Sequence, residues 1–148
     1  MNDAEKILFL SRDDPFGILT RPALELTMSE SKGVATLYVI DFNDIHKLNK
    51  EFGYEKVNAL IRETIEILKS RFNGLIVGRI FSGDEIAIID PFDYFNLIVN
   101  YAGICMNNGL GFKWVDSSIT LGHAHAFHRS QLDTLSQKLQ TSCYCKML

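Results

Sequence analysis

The sequence predicts an α+β domain in which one mixed or antiparallel sheet carries helices on one or both faces. Three observations point there. Segments with apolar residues at helical spacing alternate with short runs rich in β-branched and aromatic residues. One run, Val34 to Ile40, is apolar on both faces, which suits a central buried strand. Two other strand-like runs are separated only by Ser82-Gly83-Asp84-Glu85, so they form a β-hairpin.

The elements follow in order. Residues near 13–30 read as a helix after an Asp-Asp-Pro start, with Ile18, Leu19, Ala23 and Leu24 on its apolar side. Gly33 breaks the chain, and the Val34 to Ile40 strand runs into Asp41. A long helix covers about Ile45 to Ser70, where Val57, Leu60, Ile61, Thr64, Ile65 and Leu68 recur at helical spacing. Gly53 marks a break inside it. Leu75 to Phe81 and Ile86 to Asp90 are the hairpin strands. Pro91 opens a helix near 92–107 with Phe95, Ile98, Val99 and Ala102 inward. Residues 112–127 form a strand or hairpin, and 130–146 a last helix aligning Leu132, Leu135, Leu139 and Cys143.

The 148 residues fit one domain with no part left over for a separate sensor, and no repeat or Pro/Gly/Ser-rich linker divides them. With 47% hydrophobic and 22% charged residues, a disordered or fibrous chain is excluded. The net charge of −3 disfavours a basic nucleic-acid-binding surface, so no stable nucleic-acid partner is expected. The three cysteines, Cys105, Cys143 and Cys145, are too few and odd in number for a disulfide framework. The Ile7 to Leu10 stretch is too short for a signal peptide, and no run approaches the about 18 apolar residues that span a membrane. The expected location is the cytoplasm, without membrane insertion.

Two acidic positions break the apolar pattern. Asp41 ends a strand that otherwise points into a core, where an unpaired carboxylate is costly. Asp84 and Glu85 sit at the hairpin tip. If the Val34–Asp41 strand neighbours that hairpin, Asp41 and Asp84 converge. Two carboxylates about 4 Å apart repel by roughly 4 kcal/mol at an effective dielectric of 20, and a divalent cation reverses the sign. Oxygen ligands favour Mg²⁺ or Mn²⁺, with phosphate and water completing the shell.

These residues carry a resemblance. Tyr38-Val39-Ile40-Asp41-Phe42-Asn43-Asp44-Ile45-His46-Lys47-Leu48-Asn49 resembles the strand, metal aspartate and helix of the GGDEF domain of diguanylate cyclases and of the related CRISPR-type polymerase palm. Arg79-Ile80-Phe81-Ser82-Gly83-Asp84-Glu85-Ile86 resembles the signature hairpin. Asp13 to Glu25 is similar to the N-terminal helix motif, and Ser118 to Gly122 to the late strand. The short length is closest to a stand-alone minimal CRISPR polymerase.

The resemblance implies a ferredoxin-like palm over residues 1–148, with a central, mainly antiparallel sheet flanked by helices. It implies a nucleotidyltransferase that joins nucleoside triphosphates into a cyclic dinucleotide or short cyclic oligonucleotide, with two Mg²⁺ or Mn²⁺ ions per active site. Asp41, Asp84 and the carbonyl of Phe42 would be metal ligands. Glu85 would lie beside the metals or near the attacking hydroxyl. Ser82 and Gly83 would line phosphate or ribose, and the backbone of Asn43, Asp44 and Ile45 would cradle phosphates at a helix start. Asn49 falls at a base-reading position and Lys146 at a triphosphate-binding one.

Departures refine this. Ser82 and Ile86 replace the first glycine and the last phenylalanine of the signature. Asn58 stands where guanylate-specific cyclases carry an aspartate. An amide both donates and accepts, which favours ATP over GTP. Asn73 and Ile76 occupy the positions of the family's product-inhibition motif. Ring closure needs two substrates to meet, so a homodimer with facing active sites is expected. Resemblance to the minimal polymerase implies antiviral signalling through an effector that reads the product.

Two other readings compete: a degenerate palm that binds a nucleotide or cyclic dinucleotide without catalysis, and an α+β interaction domain with no ligand. Outside the motif, His123, His125 and His128 offer a weaker metal reading. His46 reads as helix surface or substrate neighbour, Trp114 as core, and Asp13 and Asp14 as helix caps. Arg21 reads as support for the active-site carboxylates or as surface.

Overall fold

A computed structural model of the chain describes residues 2–12, 14–42, 45–71, 73–80, 85–92, 94, 112–122 and 129–141. The Val34–Ile40 run forms the middle of β1 (Gly33–Phe42), which pairs antiparallel on both sides. Its neighbours are β3 (Glu85–Asp90) and β4 (Phe112–Leu121), and β2 (Ile76–Gly78) lies outside β3. Among the described residues the sheet is therefore four-stranded, antiparallel, in the order β2-β3-β1-β4.

Alternation along β1 sorts the core into two layers. Tyr38, Ile40 and Phe42 share a cluster with Ile45 of α3 (Ile45–Phe52) and with Val57, Ile61, Ile65 and Leu68 of α4 (Tyr54–Arg71). Ala35, Leu37 and Val39 pack instead with Leu24 and Met28 of α2 (Arg21–Glu30). Leu135 of the last helix, α5 (Arg129–Thr141), joins the same cluster. Helices thus cover both faces, which is why β1 is apolar on both. Each fully buried aliphatic side chain contributes about 1.5–3 kcal/mol. The predicted α+β class, the central strand and the β2–β3 hairpin pairing are found, and β3 flanks β1.

The break at Gly53 is also found. Its φ of 87° lies in the left-handed region, and its N–H donates to Asn49 O at 2.9 Å, closing α3 before α4 begins.

The helix expected over 13–30 is shorter. It begins at Arg21, with Pro22 in its first turn. Residues 14–17 instead form a turn, Gly17 N–H donating to Asp14 O at 3.1 Å, and Leu19 bridges to the outer edge of β2. Leu19 N–H donates to Val77 O at 3.1 Å and Arg79 N–H to Leu19 O at 2.9 Å. Helix is blocked there because the Asp14 carboxylate accepts the Phe16 N–H at 2.8 Å and Gly17 takes a φ of 70°. Phe16 and Ile18 are both buried, one on each side of that turn glycine. Gly78 permits this approach, since a Cβ there would meet Leu19 O at 3.0 Å.

A further helix, α1 (Asp3–Ser11), was not expected. Asn2 caps it, its side chain accepting from the Glu5 N–H at 2.8 Å. It buries none of its residues, so its sequence shows no apolar period. The β2 ladder is shorter than Leu75–Phe81, and β3 starts at Glu85, one residue before the expected Ile86. β4 is one continuous strand to Leu121, and α5 spans Arg129–Thr141, starting one residue before the expected 130–146. The expected helix near 92–107 lies outside the described residues, apart from Phe92 and Tyr94. Their N–H groups donate to the buried Asp90 carboxylate at 2.9 and 2.6 Å. No helix among the described residues is long and apolar enough to cross a membrane.

Candidate active site

The final turn of the β1–β3 ladder sets Asp41 directly opposite Glu85. On the other side of β1 the backbone of Asp41 is in register with Lys113. Asp41 shares its face with Leu37 and Val39, but they are buried whereas Asp41 and Glu85 are half-buried. The apolar face therefore ends in two acidic residues at one end of the sheet. Directly opposed Cβ atoms lie about 4.5–5.5 Å apart, and like charges there weaken a ladder. Two acidic residues at such a pair depart from the apolar pattern of the rest of the ladder.

The other expected site residues divide as follows. Phe42 and Ile45 bury their side chains in the α3–α4 layer. This leaves their expected contributions, a carbonyl and a backbone N–H, as main-chain groups. Asn49, on α3, is half-buried, and its Oδ1 is shielded from solvent without a hydrogen-bond partner among the described residues. A buried unpaired acceptor costs about 1–3 kcal/mol, so this atom calls for a donor. Asn58 lies on α4 and lines a cleft of about 570 Å³ with Pro15, Ala59, Arg62 and neighbouring glutamates. Asn43, Asp44, Ser82, Gly83, Asp84 and Lys146 lie outside the described residues. So do Asp13, His123, His125, His128 and the three cysteines.

A supporting contact was missed by the sequence reading. Asp14 is not a helix cap. Its carboxylate forms a buried ion pair with Arg79, whose Nη2 donates to Oδ1 at 3.3 Å while Nε bonds Oδ2. The guanidinium also lies 4.4 Å from the centre of the Phe16 ring. Arg62 Nη2 donates to Pro15 O at 2.9 Å, and Arg21 Nη1 to Ile80 O at 3.3 Å. Arg79 and Arg62 thus anchor residues 14–15, and Arg21 holds the carbonyl that follows Arg79. Half of the signal was present: Arg79 is the one charge between Val77-Gly78 and Ile80-Phe81, whereas Asp14 follows Arg12-Asp13 and does not stand out. Arg21 otherwise pairs with Glu25 at 2.9 Å on the surface.

His46 is exposed on α3, as the surface reading expected. Trp114 packs against the core with its ring edge-to-face on Tyr38, centroids 6.2 Å apart, in line with the core reading.

No family model matches the sequence, and no curated protein matches it. Solved structures do match. A microbial GGDEF domain studied with cyclic di-GMP superposes with a TM-score of 0.68 at 19% identity, covering 90% of this chain and 92% of that one. The diguanylate cyclase SiaD of Pseudomonas aeruginosa, solved with its activator SiaC, gives 0.70 at 13% identity, covering 96% of this chain and 63% of that one. A diguanylate cyclase/phosphodiesterase from Caldicellulosiruptor saccharolyticus gives 0.66 at 19% identity, covering 95% and 92%. At such identities the likeness is one of fold: four antiparallel strands with helices, GGDEF-like.

Proposed function

We propose that the chain is a single palm domain, residues 1–148, that condenses nucleoside triphosphates, ATP in preference to GTP, into a cyclic dinucleotide or short cyclic oligonucleotide. The observation that carries the reading is the β1–β3 register, which sets Asp41 against Glu85 with Asp84 next in the chain, on a GGDEF-like fold. GGDEF domains of this fold have been solved bound to cyclic di-GMP.

The donor set suits a hard divalent cation. Asp41 and Glu85 are acidic, opposed and half-buried, and oxygen ligands of this kind hold Mg²⁺ or Mn²⁺. Asp41, Asp84 and the Phe42 carbonyl would hold two such ions, which supply charge neutralisation at the attacking and leaving oxygens. The chain's own residues do the rest. The backbone at residues 43–45, entering α3, would receive the triphosphate. The reaction joins a ribose hydroxyl oxygen of one nucleotide to the α-phosphorus of the other, and the bond to pyrophosphate breaks. Glu85 would lie beside the metals or near the attacking hydroxyl, where it could take the proton. Asn49 Oδ1, buried and unpaired, would accept from a base amino group, and Asn58 would donate to or accept from its edge. Ring closure repeats the step with the roles exchanged, which a symmetric dimer with facing sites accommodates. The product would act on a separate effector, in antiviral signalling.

Incubation with each of the four nucleoside triphosphates and Mg²⁺ or Mn²⁺, followed by mass spectrometry, tests this. A cyclic product containing adenine is expected. Tight nucleotide binding with no pyrophosphate release would instead support the non-catalytic palm.

A further inference from the structure

We propose that α1 pairs antiparallel with α1 of a second copy of this chain, through the outward stripe Glu5, Leu8, Phe9 and Arg12. The proposal does not rest on the nucleotide reading, and it gives a surface to the symmetric dimer for which that reading asks.

The apolar run Ile7 to Leu10 fills a whole turn of α1, so apolar side chains point in every direction around the helix. A helix of that kind is normally covered on all sides. Here the contact is with α2 and the chain entering it. Ile7 and Ser11 are half-buried there, Thr20 N–H donates to Ser11 Oγ at 3.4 Å, and the Thr20 hydroxyl donates to Leu10 O at 2.9 Å. Leu8 and Phe9 are turned away from that contact and are 74% and 51% exposed. Among the described residues α1 is the one helix with no buried residue.

The charges say what covers it. Glu5, Leu8, Phe9 and Arg12 are all exposed and stand three, four and seven positions apart, which aligns them in one stripe along the helix. The stripe is acidic at one end, apolar in the middle and basic at the other. The Arg12 guanidinium lies 3.8 Å from the centre of the Phe9 ring, so the basic end and the apolar middle are continuous. An interface with two-fold symmetry must be complementary to itself. Turned end over end about a point between Leu8 and Phe9, this stripe is: Glu5 meets Arg12 of the second copy, Leu8 meets Phe9, and both contacts occur twice. A parallel pair would set Glu5 against Glu5 and Arg12 against Arg12. Acidic and basic ends also suit the helix dipole, but the dipole does not call for two exposed apolar side chains between them. Two helices this short make a small interface, so the pairing is reversible and depends on concentration.

Sedimentation equilibrium of the full chain at low salt, between about 5 and 500 μM, tests this. Wild type is expected to dimerise. Leu8→Lys/Phe9→Lys should weaken association at least about tenfold while keeping the circular dichroism spectrum, since both side chains are exposed. Glu5→Arg alone and Arg12→Glu alone each set like charges together twice in the dimer, and each should weaken it about tenfold. Mixed in equal amounts, these two variants are complementary again and should associate within about threefold of wild type. A wild-type chain that stays monomeric throughout overturns the proposal. So does a dimer that Leu8→Lys/Phe9→Lys leaves unchanged, since another surface would then hold it. A mixture no tighter than either charge variant alone overturns the antiparallel arrangement. The assay reads association alone, so each of these failures leaves the catalytic reading standing.

Discussion

Replacing Arg79 by Met is the most informative single perturbation of the scaffold. Asp14 exposes only 2% of its side chain and Arg79 15%. Removing the guanidinium leaves a carboxylate sealed from water, with the Phe16 N–H as its remaining donor among the contacts described above. Breaking a buried pair from one side typically costs about 3–5 kcal/mol. The retained Phe16 bond places this case near the lower end, about 3 kcal/mol. For a domain of this size, that lowers the melting temperature by about 6–12 °C. The converse change, Asp14→Asn, strands a guanidinium that has partial access to solvent, and Asn keeps an oxygen for Phe16. It should cost less, about 1–3 kcal/mol. The double variant should fall short of the sum by at least about 1 kcal/mol, because the second change removes the charge that the first one stranded. Urea denaturation followed by circular dichroism measures all three. An Arg79→Met cost below about 1 kcal/mol, or strict additivity, would show that the pair is not the buried anchor described here.

Two further predictions concern the scaffold. Gly53→Ala forces a side chain into left-handed backbone in open space, so strain alone should cost about 1–2 kcal/mol by denaturation; a neutral result would show that the α3–α4 joint relaxes freely. Glu30, at the end of α2, holds its proton above the ordinary carboxylate value, first through a hydrogen bond with Asp3, then through desolvation, and then through the Asp3 charge. The folded state thus binds that proton more tightly than the unfolded state, so the contribution is full at low pH and is lost as pH rises through the folded-state value. Glu30→Gln should melt higher than wild type near neutral pH and lose the advantage below about pH 4, and a pH-independent difference would refute the coupling.

The elements read correctly from sequence are those whose own burial writes the pattern. β1 is apolar on both faces because helices cover both, and α4 repeats Val57, Ile61, Ile65 and Leu68 because one face meets Tyr38 and Ile40. The adjacency of Asp41 to the hairpin was only a condition in the sequence, and the β1–β3 register supplies it. What escaped was written elsewhere in the chain. Residues 14–17 turn and Leu19 bridges to the sheet because β2, some sixty positions later, offers Val77 and Arg79 as partners. Asp14 looked like a cap because its partner is equally distant. α1 buries nothing, so no period announces it. Asn49 was legible as a motif position, but the unpaired state of its Oδ1 depends on how α3 packs, which local sequence does not encode.

The central claim is that Asp41 and its hairpin partners form a catalytic centre for nucleotide condensation. The most direct measurement counts pyrophosphate and cyclic product from ATP and Mg²⁺ for wild type and for Asp41→Asn. The account predicts two pyrophosphates per cyclic dinucleotide in wild type, or one per nucleotide for a larger ring. In the variant, both should fall by at least about a hundredfold with the unfolding midpoint preserved. Equal product from Asp41→Asn, or no pyrophosphate from any nucleoside triphosphate in wild type, would contradict it.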